Sequence, residues 1–167
     1  MLPAAYRIQK DLNDMKLPPS IKVSLQKLTE IHVEIDPSTG PYSGCTLPFL
    51  VRIPEMYPHC PPRVFCTKRV YHPNIDADGP VCLSILNINW RPFYTLETVF
   101  VSLLNTILEP SVVDPLNSTI AEHMQNDHGR FLEDLEKSTH GVFNEEGVEV
   151  FSKIRRCRAR SLHLRVS

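Results

Sequence analysis

Three apolar alternations constrain this chain most: Ile21, Val23, Leu25; Ile31, Val33, Ile35; and Leu47, Phe49, Val51, Ile53. A period of two puts those side chains on one face of an extended segment, so each run predicts a half-buried strand whose apolar face needs a cover. Turn formers at 36–40 and 57–62 separate the runs, and an antiparallel meander is the simplest connection. Residues 61–66 supply a short fourth strand with its prolines confined to the entry. Pro48 lies inside the third run, and proline has no amide to give to a ladder, so an edge or a bulge is expected there.

The cover comes from segments with helical periodicity. Ala5, Ile8, Leu12 and Met15 recur at helical intervals, with Arg7, Lys10, Asp11 and Asp14 on the other faces. This predicts an amphipathic helix with a solvated charged face, ended by Pro18 and Pro19. Residues 96–108 place Leu96, Val99, Phe100, Leu103, Leu104 and Ile107 as a buried helix requires. Thr95 can cap it and Glu97 suits its first turn, whereas Thr98 is not the Glu or Gln of a capping box. After Pro110 and Pro115, Asn117 or Ser118 caps a helix carrying Ile120, Ala121 and Met124, and Asp127 starts a last one with Phe131, Leu132 and Leu135. The expected class is α+β.

At 167 residues with 42% hydrophobic content, the chain suits one domain with a substantial core. Residues 1–140 form that domain. Beyond Gly141 the pattern weakens, and Glu145, Glu146 and Glu149 give way to Lys153, Arg155, Arg156, Arg158, Arg160 and Arg165. Residues 141–167 read as a flexible or weakly helical tail, with a basic arm for an acidic partner as the alternative. A formal net charge of -1 supplies no global attraction to nucleic acid or an anionic membrane. The opening MLPAAYRIQK has no apolar core long enough for a signal peptide and no later apolar run reaches the roughly 18 residues of a membrane helix, so a soluble intracellular protein is expected. Five cysteines, an odd number without a C-x-x-C pair, suggest neither a disulfide framework nor a metal site. Cys45 and Cys66 read as small core hydrophobes.

Cys82 stands apart, within the stretch YHPNIDADGPVCLSILNINW at 71–90. Flanked by Val81 and Leu83, it has the surroundings of a buried small hydrophobe. Pro73, Gly79 and Pro80, however, bend the backbone just before it and favour a surface loop, where a thiol can act as a nucleophile. A cysteine–histidine protease would need a distant partner such as His72, His123 or His140. Local chemistry leaves both readings of Cys82 open.

The ordered surroundings resemble a known family. Tyr71-His72-Pro73-Asn74-Ile75, then Cys82-Leu83 eight residues after the asparagine, then Ile85-Leu86 and Trp90-x-Pro92, is similar to the active-site signature of the ubiquitin-conjugating enzymes. Tyr57-Pro58-x-x-Pro61-Pro62 upstream, and Glu109-Pro110 to Asp114-Pro115-Leu116 downstream, also stand where that family has them. A lone His-Pro-Asn is weak, but this ordered series is specific. The resemblance implies an N-terminal helix, a four-stranded antiparallel meander, an active-site loop and C-terminal helices. It also implies an acyl relay without cofactor: Cys82 receives a ubiquitin-like modifier from an activating enzyme as a thioester and passes it to a substrate lysine. Transfer between thiols is nearly isoenergetic, so exposure and geometry matter more than a strongly acidic thiol.

By position, the resemblance makes Asn74 a support of the loop and a stabiliser of the oxyanion, and Asp114 the group that orients the incoming lysine. His72, Pro73 and Trp90 become loop scaffolding. Arg7, Lys10, His59, Pro92 and Phe93 fall on surfaces that meet the activating enzyme and a RING-type ligase. Arg7-x-x-Lys10-Asp11-Leu12, Leu17-Pro18 and Tyr57-Pro58-His59 look most like the neddylation branch, which conjugates a Nedd-type modifier to cullins. Ubiquitin itself as the modifier and a non-catalytic scaffold are the alternatives. Ser84 and Ser111 depart from the Asp or Asn and the Asn common at those places, and no extended peptide precedes the first helix, from which weaker activation by the usual partner is expected.

Overall fold

In the computed structural model, which describes residues 4–154, the alternating runs pair in chain order as one antiparallel sheet: β1 (Ile21–Lys27), β2 (Glu30–Ile35), β3 (Leu47–Arg52) and β4 (Arg63–Cys66). Ile21, Val23 and Leu25 stand opposite Ile35, Val33 and Ile31, which in turn face Leu47, Phe49 and Val51. This register aligns the apolar faces of three strands, buried along β2 and β3 but opening to solvent at the end of β1, where Leu25 is 53% exposed against the sequence expectation; a slip of one residue would turn the buried ones to solvent.

Pro48 corrects one expectation. It lies in an interior strand, and the register runs through it without a bulge, Glu34 opposite Pro48 and Ile35 opposite Leu47. The Pro48 carbonyl accepts the Thr67 amide at 3.0 Å, so this residue's nitrogen faces the β4 side, one position past the end of β4. The proline has no N–H to return that bond to Thr67, and β4 ends one residue short of it, at Cys66.

The described residues also form four helices: α1 (Ala4–Asp14), α2 (Leu96–Leu108), α3 (Ser118–Asn126) and α4 (His128–Ser138). All six apolar residues expected on the inner side of α2 are buried, and they share one core with Ile8, Val33, Phe49, Phe131 and Leu135. Each such burial stabilises by about 1.5–3 kcal/mol, against roughly 1 kcal/mol for a cap, so packing decides the helix. The cap nevertheless differs from expectation. Thr98 donates its amide to Thr95 Oγ1 at 3.3 Å and accepts the Thr95 amide at 3.4 Å, a reciprocal box in which a hydroxyl does the work of Glu or Gln. Asn117 and Asp127 cap α3 and α4 through the amides of Ile120 and Arg130.

Two further readings change. The charged face of α1 is not wholly solvated: Asp11 is 4% exposed because its carboxylate accepts from Arg7 Nε, the Tyr57 hydroxyl and the Leu96 amide. Where a flexible or weakly helical tail is expected, residues 142–151 form a hairpin of β5 (Val142–Phe143) and β6 (Glu149–Phe151). Ser152 and Ile154 behind it are buried, tied to Arg69 and Thr139 through backbone bonds of 2.8 and 3.2 Å. Strands of two and three residues are too short to show a period. Arg155, Arg156, Cys157, Arg158, Arg160 and Arg165 lie outside the described residues. Among the described residues no helix is long and apolar enough to cross a membrane.

Candidate active site

Cys82 ends a segment that pairs with backbone on two sides. Toward β4, the Cys66 amide donates to Gly79 O at 2.7 Å and the Val81 amide to Val64 O at 3.1 Å. Toward 74–76, the Asp76 amide donates to Pro80 O at 2.8 Å and the Cys82 amide to Asn74 O at 3.0 Å. Residues 79–82 thus act as a short extra strand beside β4, and their geometry depends on Gly79. Its φ is +110°, and a Cβ there would meet Cys66 O at 2.8 Å. Leu83 is buried at 2% exposure and a single 3-10 turn, Ser84–Leu86, follows. Cys82 is left half-buried between these anchors.

His72, Pro73 and Asn74 hold the other side. His72 is fully buried and stacked on Tyr42, with centroids 4.9 Å apart. Its Nδ1 accepts the Asn74 amide at 2.9 Å, so the proton resides on Nε2, which donates to Thr106 O at 3.2 Å. Burial is the dominant reason that its pKa falls to about 3; the ring is neutral at any physiological pH and serves as a strut. Asn74 is 4% exposed. Its side-chain amide donates to Ser111 O at 2.9 Å and accepts from the Ser111 amide at 2.8 Å. Pro73 O takes the amides of Leu116 and Asn117 at 2.8 and 3.0 Å.

Four hydrogen bonds therefore clamp the 111–117 loop to the residues that support Cys82. At about 1 kcal/mol net each, they outweigh the roughly 1–2 kcal/mol that a left-handed backbone costs a non-glycine residue. That residue is Asp114, exposed and with φ of 47°. The fold thus brings Cys82, Asn74 and the Asp114 loop into one connected unit. Asp114 does not cap a helix, since Asn117 caps α3.

None of the three candidate histidines is hydrogen-bonded to Cys82. His72 is spent as described, His123 Nδ1 meets the Tyr71 hydroxyl at 3.2 Å, and His140 Nδ1 contacts Glu136 O at 3.0 Å. The other cysteines contrast with Cys82: Cys45 and Cys66 are buried, and burial pushes the Cys66 thiol up to about 12. Among the described residues no group of three or more His, Cys, Asp or Glu could hold a metal ion.

The remaining sequence candidates gather on a second face. Trp90 is buried, its indole donating to Pro58 O at 2.7 Å. His59 and Pro92 are exposed, and Phe93 is 73% exposed. Lys10 is exposed and paired with Asp14. Arg7 is largely engaged within the fold: beyond Asp11, its guanidinium donates to Pro92 O at 2.9 Å and Tyr94 O at 2.7 Å. Sequence reasoning missed Asp11 as a member of this face. The Arg7-to-Asp11 spacing of an i,i+4 pair was visible, but partners 46 and 85 residues away were not.

The comparisons agree with this architecture. The ubiquitin-conjugating enzyme family matches residues 7–139. A protein of Schizosaccharomyces pombe named NEDD8-conjugating enzyme ubc12 is 41% identical over 128 residues, 75% of this chain and 72% of that protein. The Drosophila melanogaster Nedd8-conjugating enzyme UbcE2M is 37% identical over 141 residues, 83% of this chain and 78% of its own. The solved structure of S. cerevisiae Ubc12 superimposes with a TM-score of 0.83 at 30% identity, covering 92% of this chain and 87% of that one.

Proposed function

Because this chain belongs to the ubiquitin-conjugating enzyme family, and is a conjugating enzyme for a ubiquitin-like modifier, we propose that it carries NEDD8 as a thioester on Cys82 and delivers it to lysines of cullins with a RING-type ligase. The observation that supports this reading most is the clamped unit of Cys82, Asn74 and the 111–117 loop. It gives a thiol a fixed approach without providing a local base.

In the first step the Cys82 thiolate attacks the acyl carbon of the modifier's thioester on the activating enzyme. A C–S bond to Cys82 forms, the bond to the activating enzyme breaks, and that enzyme's thiolate leaves. In the second step a lysine amine attacks the same carbon, the C–N bond forms, and Cys82 departs as thiolate. The lysine must first shed a proton, and Asp114 of the 111–117 loop orients the ammonium and accepts that proton as the amine attacks. Asn74 stabilises the oxyanion of the tetrahedral intermediate and holds the loop. Its amide already bonds both backbone groups of Ser111, so the second amide hydrogen is the one free to donate.

Incubation with NEDD8-activating enzyme, ATP and NEDD8, with ubiquitin and its own activating enzyme in parallel, tests the reading. A reductant-sensitive adduct is expected with NEDD8, and Cys82→Ser should give a reductant-resistant ester or none. A thioester persisting in that variant would refute the assignment, and failure to charge with any modifier would favour a binding scaffold. Asp114→Ala should slow discharge to free lysine by about ten-fold or more while charging of Cys82 stays nearly intact.

A further inference from the structure

We propose that Asp11 is the positioning residue of the ligase-docking face. The inference rests on the function proposed above and deepens it. One buried carboxylate joins three separate segments: it accepts from Arg7 of its own helix at 2.8 Å, from the Tyr57 hydroxyl, and from the Leu96 amide at the start of α2 at 3.1 Å. Arg7, held by Asp11 through Nε, lies 5.7 Å from the centroid of the Tyr57 ring. It spends Nη1 and Nη2 on the carbonyls of Pro92 and Tyr94.

Phe93, between those two clamped carbonyls, is thereby kept at 73% exposure. His59 follows Pro58, whose carbonyl takes the Trp90 indole. The exposed side of α1, the 57–60 turn and the 92–94 loop thus form one surface, joined by the Asp11 carboxylate with the Trp90–Pro58 bond as a second tie. The chemistry requires acid rather than amide. Every group facing Asp11 is a donor, and both of its oxygens are used. Asparagine has one oxygen and would turn its own N–H groups against either Arg7 or the Tyr57–Leu96 pair, leaving buried donors unsatisfied. Without that anchor the Arg7 fork loses its fixed aim, and the 92–94 loop loses two bonds that shape it.

The test uses the full chain pre-charged with NEDD8, with Asp11→Asn as the variant. Discharge to lysine is followed alone and with increasing amounts of a RING-type ligase domain that stimulates the wild type. Hydrogen exchange is read at residues 91–95. The expected result is a half-saturating ligase concentration raised about ten-fold, ligase-free discharge within about two-fold of wild type, and faster exchange at 91–95. Equal loss of ligase-free and ligase-stimulated discharge, or wild-type exchange at 91–95, would overturn the proposal. Tyr57→Phe, which keeps the ring and removes one donor, should shift the ligase titration in the same direction by a smaller factor; no shift in a folded variant counts against the proposal even where Asp11→Asn does not fold. Phe93→Ala separates the two layers of the inference. If it leaves ligase stimulation untouched while Asp11→Asn speeds exchange, the placement of the ligase face is overturned and the positioning by Asp11 stands.

Discussion

His72 and Asn74 sit two residues apart, and burial sends them to different tasks. A charged imidazole cannot be solvated where His72 lies, so its ring stays neutral and its single Nε2 proton points at Thr106 O. This has a pH consequence with a definite sign. In the unfolded chain His72 takes up a proton near pH 6.5, whereas in the folded protein it does so only near 3. Its contribution to stability is therefore complete above the unfolded value and is lost as pH falls toward the folded one. Between these limits the loss is about 1.4 kcal/mol per pH unit. Urea unfolding at pH 7 and pH 4.5 should show wild type losing about 3 kcal/mol more than His72→Gln, which has no titrating ring. An equal loss in both would mean that His72 is not the group responsible. Asn74, uncharged, keeps its amide bonds over the whole range, so the clamp on 111–117 is itself insensitive to acid.

At the scale of elements, the segment from Gly79 to Cys82 behaves as a strand that the alternation rule could not detect, since it is short and bracketed by turns. It borrows its straightness from β4 and from residues 74–76. Gly79 is the point where side-chain volume would break this arrangement. Gly79→Ala combines a left-handed backbone with a Cβ only 2.8 Å from a carbonyl oxygen, and should cost about 2 kcal/mol or more. Denaturant unfolding reads that cost. Charging of Cys82 should fall further than the unfolded fraction explains, because the cysteine amide is anchored three residues along the same segment. The C-terminal hairpin is a second element of this kind: Phe151 packs edge-on against Tyr71 at 5.5 Å, so it braces the entry to the His72–Asn74 strut.

For the whole molecule, the core sorts the cysteines. Cys45 and Cys66 are sealed in it, Cys60 is exposed and Cys82 half-buried. Alkylation of the folded protein followed by peptide mapping should modify Cys60 and Cys82 and spare Cys45 and Cys66 until denaturant is added; labelling of Cys66 in the folded state would contradict the burial that holds its thiol up near 12. Much of this molecule was legible in the chain alone. The three alternations imposed the meander because a period of two leaves a strand only one face to bury, and six apolar residues on one stripe made α2. The spacing around Cys82 pointed to a mounted thiol because proline and glycine act locally. What required the tertiary structure were partnerships between distant residues. Pro48 escapes an edge only because β4 ends one residue early, and Asp11 becomes a buried hub only because Tyr57 and Leu96 arrive beside it. Asn74 finds Ser111 across a gap of 37 residues, and residues 142–151 become a hairpin because Arg69 and Thr139 receive the residues just behind it. Periodicity reports which face of an element is buried; it carries no information about which polar groups meet there, because long-range hydrogen bonds are selected by the packed geometry and leave no repeat in the sequence.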